Sequence, residues 1–225
     1  MDALLDLLRV LYEPTAVFQR VRERPRFLVP AAAITVLALV MGLLSLPFIK
    51  AAIAPLIAQA AAARGVPPDP EKAALVQVVA TAALTPLFIG FGAGVLWIAV
   101  SLFGIEAQYR VLASVAAYTS IMYALQLIAG FAVLSVRGVE TITSPLDLQP
   151  AFGLDLFAPG TTGYLGALLR GINVFSVWGG VLNGMGIAVT HRTTPRTGYA
   201  AAALALVVTV LLVSTLALLQ PASPR

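Results

Sequence analysis

The sequence predicts an all-α integral membrane protein, a bundle of five transmembrane helices preceded by a short amphipathic N-terminal helix. Of its 225 residues, 60% are hydrophobic and only 11% are charged, whereas soluble domains are about 45–50% apolar and about 25% charged. Five long runs contain no charged residue, and each reaches the roughly 20 residues that a spanning helix needs. The runs do not alternate in polarity as barrel strands would, so helices are the expected state.

Residues 1–26 are expected to form an amphipathic cytosolic segment. Asp6, Arg9 and Glu13 share one helix face because spacings of three and four residues return to the same side, and apolar residues fill the remainder. Such a helix suits the lipid interface or the surface of a span. We expect a packing and anchoring role. The alternative is a docking surface for a cytosolic partner, and its residues would be Tyr12, Pro14 and Phe18.

The charge-free runs place a transmembrane domain over residues 27–219, followed by a tail at 220–225. The first run has 23 residues, which exceeds the roughly 7–15 residues of a signal-peptide core and predicts an uncleaved span. Pro86 offers a kink site in the second run. The segment 137–170 contains several prolines and glycines, so it is predicted to be an external loop. The spans are predicted at about 27–49, 76–103, 111–136, 171–190 and 198–219.

Basic residues orient these spans. With the N-terminus inside, eight arginines lie in short inner segments and six basic residues lie in longer outer ones. Four of the inner arginines directly precede the first span, where the positive-inside effect is strongest. We therefore expect a membrane protein with a cytosolic N-terminus and an external C-terminus. Because basic residues flank spans, the net charge of +4 does not indicate nucleic-acid binding.

Small and polar residues within the spans are candidates for helix packing or interaction. Glycines four residues apart allow close helix approach, and this spacing occurs at Gly90/Gly94 and Gly180/Gly184. A buried amide in lipid needs a hydrogen-bond partner. For Gln126 we expect an interhelical hydrogen bond, and a polar transport path is the alternative. The polar and aromatic candidates are Gln126, Asn173, Trp178 and Asn183.

The chemistry of catalysis is absent from the predicted spans. None contains Asp, Glu, Lys, Arg or His, the chain has no cysteine, and the single histidine, His191, lies in a short link, where a solvated side chain is the ordinary expectation. This pattern argues against an enzyme, a proton-coupled pump, a metal site and a bound cofactor. An enzyme acting on lipids would draw on the inner-face residues Glu106, Tyr109, Arg110, His191 and Arg192.

Three stretches of the sequence resemble the Yip family of membrane proteins (Ypt/Rab-interacting proteins) in its bacterial form. They are the run from Leu8 to Pro14 with Ala16-Val17-Phe18, the hairpin residues Leu102-Phe103-Gly104 and Tyr109-Arg110-Val111, and Asn173 to Trp178 followed by Gly184 and Gly186. The resemblance implies five spans with a cytosolic N-terminus, and its bacterial form implies a place in the bacterial cytoplasmic membrane. Eukaryotic members bind lipid-anchored small GTPases and act in vesicle traffic, which implies a membrane adaptor.

These observations favour a non-enzymatic membrane adaptor, organiser or accessory subunit. Its expected partners are the lipid bilayer and either another protein or further copies of the chain. The cytosolic-face contacts would come from Tyr12, Pro14, Phe18, Glu106, Tyr109 and Arg110. The alternative function is a component of a small-molecule transporter or channel, with a polar path at Gln126, Asn173 and Asn183.

Overall fold

The computed structural model describes residues 2–64 and 69–219, and helices are the regular elements of this part of the chain. One isolated antiparallel bridge joins Gly153 and Asn173. The predicted tail at 220–225 lies outside the described residues. Short 3₁₀ helices cover Val139–Thr141, Pro145–Leu148, Leu154–Phe157 and Leu216–Leu219. The α-helices are α1 (Asp2–Arg9), α2 (Pro14–Glu23), α3 (Leu28–Leu44), α4 (Leu46–Arg64), α5 (Pro70–Leu102), α6 (Tyr109–Thr119), α7 (Ile121–Arg137), α8 (Gly163–Gly171), α9 (Val174–Thr190) and α10 (Pro195–Thr215).

The helices long and apolar enough to cross a membrane differ in number from the five predicted spans. The described residues contain three such stretches, Pro70–Leu102, Tyr109–Arg137 and Pro195–Leu218. A fourth is obtained if α3 and α4, which meet at an angle of 67°, count as one span. The predicted fourth span, at 171–190, is an apolar helix of only 17 residues, α9.

Proline and hydroxyl side chains explain where the helices break. Pro47 is the second residue of α4, and a proline cannot donate to the carbonyl four residues earlier and clashes with it; that carbonyl belongs to Leu43, in the last turn of α3. The chain therefore turns at Ser45, so that the predicted first span becomes two helices. The break at Ser120 has another cause, because the Ser120 hydroxyl donates to the Ala116 carbonyl oxygen (2.7 Å), a contact that bends helices. Pro86, by contrast, lies inside the uninterrupted α5.

The chain divides into two compact units. The first comprises residues 1–32, 87–123 and 151–225, and the second comprises residues 33–86 and 124–150. In the second unit, Phe48 packs edge-on against Phe131 with ring centroids 6.3 Å apart. Lys50 Nζ pairs with Glu71 Oε2 at 3.3 Å. Gly42 allows close approach to Val78, because an added Cβ would lie 2.7 Å from Val78 Cγ1.

Asp147 organises the part of the 137–170 segment that belongs to the second unit. Its Oδ2 accepts hydrogen bonds from the backbone amides of Thr143 (2.9 Å) and Ser144 (2.8 Å). Burial alone would raise the pKa of Asp147, but the hydrogen bonds from these two residues stabilise the carboxylate and lower the pKa below its ordinary value. The predicted loop is therefore built from ordered short turns.

The first unit contains α1, α2, α6, α8, α9 and α10. Here α9 packs along α10 and also contacts α2 and α6. Small residues make the α9/α10 contact close, because a Cβ at Gly198 of α10 would lie 2.5 Å from the Gly184 carbonyl oxygen. The candidate functional site lies in this unit.

Candidate functional site

The N-terminal segment is fixed to the first unit through α2. Val17, Phe18 and Val21 are buried, and α2 packs against α9 and α6. Gly186 of α9 makes room for this contact, because a Cβ there would lie 2.5 Å from Val115 and 3.2 Å from the Phe18 ring. Phe18, which was expected among the cytosolic-face contacts, has a fully buried side chain.

An ion pair joins α1 to α2. Arg20 donates two hydrogen bonds to the Asp6 carboxylate, from Nη2 at 2.6 Å and from Nε at 3.0 Å. This contact with Asp6 raises the pKa of Arg20 above its ordinary range, against the opposing effect of desolvation. Asp6 is 6% exposed, so the carboxylate on α1 faces the protein.

The apolar side of α1 faces outward. Leu4, Leu5 and Leu8 are each about half exposed, whereas Leu7 and Val10 are buried. A helix whose leucines point away from the protein is suited to the lipid interface. Tyr12, which follows α1, is 68% exposed, and Pro14 begins α2.

The link between α5 and α6 folds back along α5. Trp97 Nε1 donates to the Ala107 carbonyl oxygen at 3.1 Å, and the Tyr109 hydroxyl donates to the Gly90 carbonyl oxygen at 3.1 Å. Two predicted residues, Gly90 and Tyr109, are therefore brought together. Gly104 has a φ of 72°, which favours glycine because it has no Cβ.

His191 connects the link between α5 and α6 to the end of α9 through hydrogen bonds. The Thr190 hydroxyl donates to the Gly186 carbonyl oxygen, so Thr190 Oγ1 accepts from His191 Nδ1 at 2.9 Å. Nε2 then accepts from the Gln108 backbone amide at 3.4 Å. Burial lowers the pKa of His191, and a backbone contact with Ile187 offsets only part of this effect. The histidine is neutral and half-buried rather than solvated as the sequence suggested.

A cavity of about 290 Å³ lies beside this histidine. Arg22 of α2 lines this cavity, and its Nη1 lies 3.5 Å from the Val189 carbonyl oxygen. Arg192 has a φ of 51°, a region that non-glycine residues adopt rarely and often at functional sites. The cavity therefore holds two cations, one carboxylate and several polar groups. Its lining residues are Arg22, Ile105, Glu106, Gln108, Val111, Thr190, His191 and Arg192.

The predicted polar residues of the first unit are engaged in hydrogen bonds within the protein. Asn173 lies before α9 rather than within it and caps the helix, because Oδ1 accepts from the backbone amides of Phe175 and Ser176. Asn183 Oδ1 accepts from the Thr119 hydroxyl at 2.9 Å, which joins α9 to α6. Gln126 is half-buried on α7, where it belongs to the second unit.

The predicted glycine pairs differ in their surroundings. A Cβ at Gly184 would lie 2.4 Å from Tyr199 Cδ1, whereas at Gly180 the nearest atom, on Leu206, would be 3.4 Å away. A Cβ at Gly94 would meet no heavy atom of the described residues within 4 Å. Trp178 of α9 is 47% exposed, so its ring is available to lipid or to another chain.

The sequence identified three of the eight residues that line the cavity. Glu106, His191 and Arg192 were expected to share one face, and they line the cavity. Tyr109 and Arg110 are exposed at the start of α6. The polar lining residues that it missed are Arg22, Gln108 and Thr190. Arg22 belongs to the arginine cluster that precedes the first apolar run. Its orientation, however, depends on the packing of α2 on α9, which the sequence pattern does not reveal.

The described residues offer no metal centre. Within 2–64 and 69–219, no group of three or more histidine or acidic side chains is placed to hold a metal ion. The cavity instead combines guanidinium groups with one carboxylate and a neutral imidazole. Such a donor set binds small charged groups through hydrogen bonds.

The apolar helices and the short polar links define a helical integral membrane protein. Residues 8–218 match the model of the Yip1 domain, and the chain therefore belongs to the Yip1 family, a family of non-enzymatic membrane proteins. Searches of curated proteins and of solved structures each gave no significant match.

Proposed function

We propose that this Yip1-domain protein is a non-enzymatic membrane adaptor that crosses the bilayer five times and presents its N-terminal segment to the cytosol. The supporting observation is the cavity of the first unit. Arg22 precedes the first apolar helix, Gln108 lies between α5 and α6, and His191 lies between α9 and α10. Polar residues that meet in one cavity belong on one side of the membrane.

Because these residues lie on one side of the membrane, the number of times the chain crosses the bilayer between them is restricted. Between Arg22 and Gln108 the chain must cross an even number of times, and α5 supplies one crossing, so the bent pair α3/α4 supplies the other. Between Gln108 and His191 the α6/α7 stretch supplies one crossing, so α9 supplies the second. Its 17 residues are at the lower end of the range for a spanning helix, and α10 completes five crossings.

The N-terminal segment is the proposed site of partner contact. The buried residues of α2 and the pair between Asp6 and Arg20 fix the backbone, whereas Tyr12 is exposed at the turn between α1 and α2. A fixed, exposed aromatic residue is typical of interaction surfaces. Neighbouring Pro14 and the exposed Glu106, Tyr109 and Arg110 are the remaining proposed contacts.

Photo-crosslinking from position 12 tests the adaptor role. A photoreactive amino acid replacing Tyr12 in the full-length chain should give an adduct with a protein partner or a second copy. The matched control replaces Val17, which is fully buried in α2, and should give only adducts within the chain. A protein captured from position 12 counts as a partner when it captures this chain in the reverse experiment. Recovery of neither a partner nor an oligomer would contradict the proposal.

A further inference from the structure

We infer that the cavity at the end of α9 binds the headgroup of a zwitterionic phospholipid with a primary amine. The phosphate would lie between Arg22 and Arg192, and the ammonium group would lie toward Glu106. This inference does not depend on the adaptor role, because a lipid can occupy the cavity whether or not a protein partner binds elsewhere.

The two arginines are available to a ligand. Among the described residues, neither Arg22 nor Arg192 forms an ion pair with a carboxylate. The one hydrogen bond of the Arg22 side chain is the 3.5 Å contact with the Val189 carbonyl oxygen, which is at the limit of hydrogen-bond length. Guanidinium groups bind phosphate oxygens through paired, charge-assisted hydrogen bonds. Two of them facing one cavity therefore favour a phosphate group.

The start of α6 adds to the positive potential. Gln108 precedes this helix and Val111 lies in its first turn, and both line the cavity. The N-terminus of a helix carries a partial positive charge. The end of α9, which carries the opposite partial charge, is covered on this side by the Arg22 guanidinium. His191 is neutral, so it contributes polarity and no charge.

Glu106 determines which phosphate-containing group fits best. Glu106 lines the same cavity, and its carboxylate forms no ion pair with a residue of the described chain. A purely anionic headgroup would be repelled by this carboxylate. A phosphate with an attached primary ammonium group complements both charges, because the amine can donate hydrogen bonds to the carboxylate while the phosphate contacts the arginines.

The size and position of the cavity favour a headgroup. A volume of about 290 Å³ is at the lower end of the range for small-molecule pockets, which suits a headgroup better than a whole metabolite. The cavity lies where the apolar α9 ends and the apolar α6 begins, and the exposed leucines of α1 belong to the same unit. Basic pockets between helix ends at a membrane surface are typical sites for lipid headgroups.

Native mass spectrometry of the full-length chain in detergent micelles tests the inference. The probes are short-chain phosphatidylethanolamine, short-chain phosphatidylglycerol and inorganic phosphate. We expect phosphatidylethanolamine to bind most tightly. Arg22→Gln and Arg192→Gln should each weaken that binding by about tenfold, because each removes a charge-assisted contact. Arg22→Lys and Arg192→Lys should retain part of it, since the charge remains.

Glu106→Gln distinguishes the zwitterionic headgroup from an anionic one. This substitution should weaken phosphatidylethanolamine binding several-fold and leave phosphatidylglycerol binding unchanged or stronger. The matched controls, Arg24→Gln and Arg196→Gln, remove the same charge from exposed residues outside the cavity and should have no effect. Each variant is accepted when its elution volume and helical content match the parent chain.

Three results would overturn the inference. The first is unchanged phosphatidylethanolamine binding in the Arg22→Gln and Arg192→Gln variants. The second is an equal loss in the Arg24→Gln and Arg196→Gln controls, which would indicate a general effect of charge. The third is binding of inorganic phosphate or phosphatidylglycerol as tight as that of phosphatidylethanolamine, which would identify a general anion site.

Discussion

At the scale of single residues, His191 links the two polar segments of the first unit. Its neutral ring accepts from the Gln108 amide at Nε2 and donates to Thr190 at Nδ1. Protonation would place an N–H at Nε2 opposite the Gln108 N–H. It would also add a charge to a cavity that already contains Arg22 and Arg192, with Glu106 as the opposing charge. The folded protein therefore favours the neutral ring.

We predict that acidification destabilises the protein through His191. Because burial lowers the pKa of His191 in the folded state, the folded state binds fewer protons than the unfolded state near the ordinary value of 6.5. The stability is complete above that value and falls as the pH drops toward the lowered folded pKa. Thermal unfolding in detergent should show a lower midpoint on acidification from pH 7 to pH 5.5.

The single histidine makes this prediction specific. His191→Gln keeps a polar side chain that does not titrate, so its unfolding midpoint should change less over the same pH interval. A parent chain and a variant with the same pH dependence would assign the effect to carboxylates instead. A direct titration of the imidazole by NMR should give a pKa below the ordinary value of 6.5.

Glycine positions on α9 provide a second prediction. Gly184→Ala would place a Cβ 2.4 Å from Tyr199 Cδ1 and 3.0 Å from Tyr199 Cα, so α10 or the ring must shift. Overpacking of this kind costs about 1–3 kcal/mol. The matched control is Gly180→Ala on the same helix. Its added Cβ would lie 3.4 Å from the nearest atom, so this substitution should be tolerated. Thermal unfolding of both variants measures the difference, and an equal loss of stability in the two would contradict the α9/α10 contact.

The sequence identified which polar residues within the apolar runs matter, but it did not predict the contact that each side chain makes. Asn183 was a candidate for helix packing or interaction, and its Oδ1 accepts a hydrogen bond from Thr119. Asn173 was placed inside a span, but its side chain caps α9. The run 171–190 contains no charged residue, and the helix start depends on local side-chain hydrogen bonds that hydropathy does not register.

At the scale of helices, α1 shows why a pattern can predict amphipathicity without predicting orientation. The spacing of Asp6 and Arg9 identified a charged face correctly. An isolated amphipathic helix would turn that face to water, but Asp6 is buried because Arg20 of α2 neutralises it. The partner lies 14 residues away in sequence, so the orientation depends on a contact that periodicity cannot reveal.

We predict that Asp6→Asn weakens the attachment of α1 to α2. The substitution leaves Arg20 without its carboxylate partner and should cost about 1–2 kcal/mol locally, because the Arg20 side chain is 44% exposed and water compensates in part. Limited trypsin digestion of the full chain in detergent should then cleave faster at Arg9 and Arg20. Glu23→Gln removes a charge from an exposed position of α2 and serves as the control. Equal cleavage rates in both variants would contradict an anchoring role for the pair.

At the scale of the whole chain, hydropathy predicted the helical class, but it did not predict how the helices divide. The turn at Ser45 converts the predicted first span into α3 and α4, and α9 falls short of a conventional span length. Both differences arise from local interactions, a proline in the first turn of α4 and an asparagine cap before α9. The number of membrane crossings therefore has to be inferred from which polar links between helices lie on the same side of the membrane.

We predict a labelling pattern that follows from five crossings. The chain has no cysteine, so single cysteines can be introduced without background. A membrane-impermeant maleimide should label Asp69→Cys and Phe157→Cys in intact cells, because both positions are exposed and lie on the proposed outer side. Glu106→Cys and Thr194→Cys, which are equally exposed, should react only after permeabilisation.

The position of Thr194 makes this pattern decisive for α9. If α9 crosses the bilayer, Thr194→Cys and Phe157→Cys react on opposite sides. If α9 lies on one side, the two positions react together, and the crossing inferred from the shared cavity is wrong. Likewise, joint labelling of Asp69→Cys and Glu106→Cys would exclude a crossing by α5. Val17→Cys, fully buried in α2, should remain unlabelled under both conditions, which shows that permeabilised protein is still folded.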